Sequence, residues 1–380
     1  MLGYLEILIS HLMETYKIII IERVKYVKIA LLIGNGFDIN LGLKTSYINF
    51  KEYLEANGEI KSLNLYRFLN EDTNNEKKLW SDLEKALGQF LSEEKWESIE
   101  LDGKMPSDFV SKEKDKILDD LKDYLLSEEN LIDFNEISED IKSDVRSSFK
   151  TLISPYEMVD QNRLNQTYAF QGEILEFFPI IFNYTSTFEN MIRNNTIFDI
   201  GTYSFRIKEI LHPHGKLDDG MILGVNDVDQ IENFEHCILN MEDLNYVLKT
   251  KTPAISSNME YTQSMRIIND SDLIIVYGMS IGETDIFWWD LIKNRMRSNP
   301  NVHSIIFRKL PLNTPLQVHN RRDVNSRKRE VKTLICRDDD IMAEIGDRII
   351  VEFNRDVFCE TGKKCEENIS PKREEVKKNI

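Results

Sequence analysis

At 380 residues, the chain is long for one compact core, so one large domain with insertions, or two domains, is expected. Its 41% hydrophobic and 30% charged side chains read as globular, not disordered. A formal charge of −17 disfavours non-specific nucleic-acid or anionic-membrane binding as the main activity, although a local basic site stays possible.

The opening run "MLGYLEILISHLMETYKIIII" is apolar but interrupted by Glu6, His11, Glu14 and Lys17. It lacks a basic leader and a small-residue cleavage site, so it reads as neither a signal peptide nor a membrane span. An amphipathic helix docked on the domain is one reading. The product of an upstream start codon is another, since Met13 offers a second start.

Strand-like apolar runs follow at 28–33 (KIALLI), 179–182 (PIIF), 206–211 (RIKEIL), 221–225 (MILGV), 272–278 (DLIIVYG) and 302–307 (VHSIIF). Helical stretches are expected at 46–57, 77–91, 112–127, 131–152, 160–177, 257–269 and 284–297. Short buried strands separated by helices predict an α/β fold around a Rossmann-like parallel sheet. Residues 58–177 hold almost no strand-like run and read as a large all-helical insertion after the first strand.

Within that insertion, Trp80, Leu83, Leu87 and Phe90 share one helical stripe, and Glu84 beside it reads as a solvated helix residue. The acidic stretch 113–145 reads as a solvated helical face. The basic cluster "HNRRDVNSRKRE" (319–330), with Arg308 and Lys309 before it, reads likewise. The closing "TGKKCEENISPKREEVKKNI" resembles a frayed tail. Cys237, Cys336, Cys359 and Cys365 form no CxxC pair, so free thiols in a reducing cytoplasm are expected.

Four polar clusters come directly after strand-like runs: "GNGFD", "NYTSTFEN", "HPHGKL" and "GMSIGETD". In open parallel sheets, ligands bind outside the carboxyl ends of the strands, so these clusters are expected to converge on one crevice. Gly34 and Gly36 suit backbone approach to an anion, but a dinucleotide fingerprint needs a third glycine where Ile39 stands. A tight strand–helix turn explains the pair equally well. Asn183 places an amide at a strand end, while Thr185 or Ser186 suits a helix cap. His214, followed by Gly215, is a general-base candidate, and His212 with His214 as metal ligands is the weaker alternative. Thr284 suits the N-cap of the aromatic helix "DIFWWDLI", with the loop before it touching ligand.

The ordered set "LLIGNGFDINLGLKTSY", "WSDLE", "FNYTSTFE", "HPHGK" and "GMSIGETD", over residues 28 to 297, resembles the bacteriophage abortive infection AbiH family. It is similar, more remotely, to the sirtuin-type NAD-binding fold. On that resemblance Gly34, Gly36 and Gly42 match three spaced glycines, Asn183 the asparagine that orders ribose and water, and His214 the catalytic base. Asp38 stands where sirtuins carry serine, and the sirtuin arginine and aspartate and the four-cysteine zinc module are missing, which disfavours protein deacetylation.

The resemblance therefore implies an antiphage effector that binds NAD and cleaves it to nicotinamide and ADP-ribose, without a metal. A non-catalytic NAD or ADP-ribose sensor and a nucleic-acid-acting defence protein are the alternatives. The implied catalytic set is Asn183, His214 and Asp38, with Glu84 a further site residue. Implied nucleotide contacts around the first strand are Gly34, Asn35, Gly36, Phe37 and Gly42. Beyond it they are Tyr184, Gly278, Ser280, Gly282 and Asp285. A phage-derived trigger is implied, no membrane partner is, and a homo-oligomer is compatible. The expected layout is an extension 1–27, an α/β core of 28–57 and 178–355, the insertion 58–177, and a flexible charged tail 356–380.

Overall fold

Alternation of apolar side chains sets the centre of the molecule. In β1 (Tyr26–Ile33), Ile29, Leu31 and Ile33 enter one apolar cluster, while Ala30 and Leu32 enter another on the opposite face. A strand buried on both faces reads as a continuous hydrophobic run, as "KIALLI" does. Each fully buried Leu or Ile among them contributes roughly 1.5–3 kcal/mol. The computed structural model describes residues 26–57, 64–71, 83–92, 105–168, 170–193, 195–225, 228–240, 242–249, 259–310, 321–355 and 357–378. The N-terminal extension, apart from its last two residues, lies outside them, as does Trp80.

Seven strands form one sheet: β1, β2 (Ile174–Ile181), β3 (Ile197–Ile200), β4 (Tyr203–Ile207), β5 (Leu273–Tyr277), β6 (His303–Arg308) and β7 (Ile349–Phe353). Their spatial order is β3-β4-β2-β1-β5-β6-β7, parallel throughout except for the antiparallel edge strand β3. Without β3, the parallel strands run 3-2-1-4-5-6 in order of appearance, the doubly wound Rossmann arrangement. The order reverses between β1 and β5, which opens a crevice at their carboxyl ends.

Thirteen helices are present among the described residues. After β1 come α1 (Gly36–Asn40), α2 (Tyr47–Asn57), α3 (Asn64–Glu71), α4 (Leu83–Phe90), α5 (Pro106–Glu129), α6 (Glu139–Leu152) and α7 (Met158–Thr167). This is the expected large helical region, but it serves two cores. Phe50, Tyr66, Leu87, Phe90 and Leu121 of α2 to α5 pack with Leu217, Val225 and Leu248 into a separate lobe. Val145 and Phe149 of α6 and Leu164 of α7 instead cover the sheet beside Phe177.

The remaining helices are α8 (Thr187–Ile192), α9 (Met259–Asp270), α10 (Ile286–Ser298), α11 (Arg321–Cys336), α12 (Asp339–Ile345) and α13 (Cys359–Lys378). Trp288, Trp289, Ile292 and Met296 of α10 close the face opposite α6. The segment expected to be a flexible tail differs from that reading. It carries α13, where Thr361 and Ile369 are fully buried and Cys365 nearly so. Its many charges had concealed that spacing of four, the repeat of one helix face.

Two further expectations are displaced. The helix read over 160–177 ends at Thr167, and β2 begins at Ile174, earlier than the strand read at 179–182. The runs 206–211 and 221–225 are not full strands: β4 stops at Ile207, while Leu211 and Val225 make only isolated bridges to Ile180 and Leu248. The Leu211 bridge still carries the chain alongside β2 and delivers His212 and His214 to the carboxyl edge. Among the described residues, no helix is long and apolar enough to cross a membrane.

Candidate functional site

A cleft of about 710 Å³ opens at the switch point, within the usual size range of small-molecule sites. Gly34, Asn35 and Gly36 line it from the exit of β1, and Phe182 and Tyr184 from the exit of β2. The β5 exit supplies Gly278, Ser280, Gly282 and Asp285. His214 reaches it from beyond β4, and Tyr47 and Glu84 come from the helical lobe. Ten residues singled out from the sequence thus share one cavity.

Glycine is required at the β1 turn because two loops meet there backbone to backbone. A Cβ on Gly34 would lie 2.5 Å from Met279 Cα, and one on Gly36 would lie 2.5 Å from Gly278 Cα. Gly278 itself adopts φ +67°. The Asn35 side chain looks inward, donating to Thr45 O at 3.0 Å and accepting from Thr45 Oγ1 at 2.5 Å. Ser280 Oγ donates to Asp285 Oδ2 at 2.5 Å, and Trp289 Nε1 donates to Ser280 O at 3.0 Å, so α10 pins this loop. Thr284 lines the cleft and is not the helix cap. The N-cap position falls on Asp285, whose side chain makes no capping bond.

His214 is 5% exposed and packs edge-on to Phe182, with ring centroids 5.3 Å apart. Burial, helped by the Lys249 charge, pushes its pKa well below the usual histidine value, so the neutral ring prevails at neutral pH. Tyr184 donates its hydroxyl to Ile222 O at 2.9 Å, and burial keeps that phenol protonated. Glu84, read from sequence as solvated, is 7% exposed and pairs with Lys249 Nζ at 2.5 Å. Burial lowers the neighbouring Lys114 to about 8.

Four of the sequence-expected residues lie outside the cleft lining. Phe37 is core, edge-on to Phe188, Tyr277 and Phe358. Gly42 sits at φ +86° against Glu366 of α13 and serves that turn. Asp38 is 1% exposed and does not face ligand space. Thr185 Oγ1 donates to its Oδ2 at 2.6 Å and Thr187 Oγ1 to its Oδ1, which ties α1 to the loop after β2. Thr185 or Ser186 was expected to cap a helix: Ser186 takes the N-cap position of α8, but its side chain makes no capping bond. Instead, the Ser186 N–H at the start of α8 donates to Glu129 Oε1 at 3.1 Å.

Asn183 is the fourth. Its amide lies near Asp38, yet both polar atoms are buried without a hydrogen bond of normal geometry. His212 is likewise engaged elsewhere: Nε2 meets Glu189 Oε1 at 2.7 Å and Nδ1 meets Asn183 O at 3.2 Å. Among the described residues, no group of three or more His, Cys, Asp or Glu side chains is arranged to hold a metal.

Sequence reasoning took Arg308 and Lys309 for part of a solvated basic face and passed over Arg355; all three line the cleft from the exits of β6 and β7. The signal was present, since Arg308 and Lys309 directly follow the run "VHSIIF". Tyr47 and Lys249 carried no comparable signal, because only the packing of the helical lobe brings them to the strand exits.

Residues 30–307 match the model of a family described as Bacteriophage abortive infection AbiH, well over half of the chain. The chain belongs to the AbiH family. Membership gives this AbiH protein an antiphage defence role, with a phage-derived trigger implied. The match runs from β1 to Phe307 of β6 and so takes in the helical lobe and most of the cleft, while β7 and α13 lie beyond it. No curated protein matches the chain.

Proposed function

We propose that this AbiH protein is a cytoplasmic abortive-infection effector with a sirtuin-like core that binds NAD in the cleft and hydrolyses it to nicotinamide and ADP-ribose. One observation carries the reading. Gly34, Gly36, Tyr184, His214 and Gly278, expected from sequence at separate strand exits, line a single cavity at the point where strand order reverses.

In the proposed reaction, the bond between nicotinamide and the ribose C1′ breaks, and its electron pair leaves with neutral nicotinamide. Positive charge developing on the ribose is stabilised by a nearby carboxylate. That carboxylate is Glu84, because Asp38 is turned away and occupied by two threonines. Water attacks C1′ and passes a proton to the neutral His214 ring, which returns it to solvent. Base assistance of this kind contributes about a hundred- to ten-thousand-fold.

A second reading, a non-catalytic sensor of NAD or ADP-ribose, draws on the lobe. Tyr47 and Glu84 come from helices outside the sheet, so a ligand in the cleft would touch both bodies. Purified protein incubated with NAD, alone and with lysate of phage-infected cells, is expected to release nicotinamide, whereas His214→Ala releases none. Intact NAD in both conditions overturns hydrolysis. Phage protection retained by His214→Ala would favour the sensor.

A further inference from the structure

The β1 turn has few free donors to offer an anion. Gly34 N–H donates to Tyr277 O at 3.0 Å, Gly36 N–H to Gly278 O at 2.9 Å, and Phe37 N–H to Gly34 O at 3.0 Å. The glycines there serve the contact between two loops. A pyrophosphate carries two negative charges, and a cleft that binds one needs donors from elsewhere.

Such donors stand at the exit of β6. Arg308, the last residue of that strand, lines the cleft, and among the described residues its guanidinium makes no hydrogen bond or ion pair. Burial depresses its pKa, and no carboxylate offsets that effect. Lys309 also lines the cleft and, among the described residues, its ammonium donates only to the neutral Asn40 Oδ1.

The third lining cation is engaged. Arg355 meets Glu352 Oε2 at 3.4 Å and Ser154 O at 3.1 Å, and lies over the Tyr156 ring. The two acids that line the cleft do not neutralise Arg308 either: Glu84 is paired with Lys249, and Asp285 accepts from Ser280. In a chain of net charge −17, a half-buried guanidinium that meets no counter-charge among the described residues is unusual. Partial burial of an unpaired charge is unfavourable in the free protein and is relieved by an anionic ligand.

We propose that Arg308, supported by Lys309, is the phosphate-binding pair of the cleft and holds the pyrophosphate of the bound dinucleotide. The planar guanidinium fork matches phosphate oxygens two at a time. The β1 glycines then allow the two loops to approach, and the charge comes from β6. This assignment rests on the nucleotide reading above and goes beyond it by naming the groups that carry the phosphates.

The test titrates the full chain calorimetrically with ADP-ribose, inorganic pyrophosphate and adenosine, comparing wild type with Arg308→Gln, Arg308→Lys and Lys309→Gln. Arg308→Gln is expected to weaken ADP-ribose binding about ten- to a hundredfold, the scale of a charged hydrogen bond. It should also flatten the salt dependence, leave adenosine binding unchanged, and melt no lower than wild type. Arg308→Lys should recover only part of the affinity. If Arg308→Gln does not fold, Lys309→Gln and Arg308→Lys carry the same comparison. ADP-ribose binding at wild-type strength in the Arg308 variants overturns the assignment and leaves the dinucleotide reading standing. Pyrophosphate binding that depends on Arg308, with no binding of NAD or ADP-ribose, upholds the subsite and overturns the dinucleotide. No binding of any phosphate overturns both.

Discussion

Lys249 Nζ lies 2.5 Å from Glu84 Oε1, and the Lys249 side chain is 1% exposed. The pair joins α4 of the helical lobe to the segment that follows the Val225–Leu248 bridge, directly beside the cleft. It holds in place a carboxylate that lines the cleft together with His214.

Removing one member takes a close opposite charge away from the other. Lys249→Met should cost up to about 3–5 kcal/mol, because the buried Glu84 carboxylate loses the ammonium it pairs with. Glu84→Gln combined with Lys249→Met should recover most of that loss. Urea unfolding of the single and double variants measures both, and a double variant as unstable as Lys249→Met alone would dissolve the pair's significance.

Asp38 gives stability a pH dependence of known sign. Burial lifts its pKa from 3.8 to about 6, against the lowering by the Thr185 and Thr187 hydroxyls. The folded state therefore holds this proton more tightly than the unfolded state. Its ionised form is unfavourable above pH 6, and that penalty fades as pH falls towards 3.8. At about 1.4 kcal/mol per unit, the window spans roughly 3 kcal/mol. Relative to Asp38→Asn, the wild type should gain stability between pH 6 and pH 4. Unfolding free energies of both proteins at several pH values check this, and a constant difference contradicts it.

The sheet was largely legible because β1, β5 and β6 are buried on both faces and read as unbroken apolar runs. The edge strand β3 was not: its Ile197 and Asp199 are exposed, leaving no run to see. The strand-exit logic brought His214 and the Gly278 loop together at the cleft lining, with their roles there still a proposal. It did not foresee that Asp38 lies off the cleft lining, because a carboxylate next to a glycine turn looks the same whether it faces ligand or two threonines. Glu84 was legible only through the family resemblance, since its burial depends on Lys249, far along the chain. Helix α13 was hidden by composition, with buried positions four residues apart among charged ones.

That helix makes a direct prediction. Ile369 is fully buried in the same cluster as Phe37 and Phe358, so Ile369→Ala should destabilise by about 2–5 kcal/mol, the range for a buried aliphatic truncation. Thermal melts measure it. A change below about 0.5 kcal/mol, typical of an exposed position, would return the segment to a tail.

Gly36→Ala tests the loop contact. Its Cβ would press on Gly278 Cα at 2.5 Å, and the atoms it meets are backbone and cannot swing aside. A loss of about 1–3 kcal/mol is expected from such overpacking, together with weaker ligand binding as the β5 loop shifts. Unchanged melting and unchanged ADP-ribose affinity would contradict the packing role.

The most direct test of the central claim is the NAD content of phage-infected cells carrying either wild-type protein or His214→Ala. The account predicts that NAD falls after infection in the wild-type cells and holds steady in the variant. Protection from phage with NAD undiminished in wild-type cells, or equal depletion with both proteins, would contradict it.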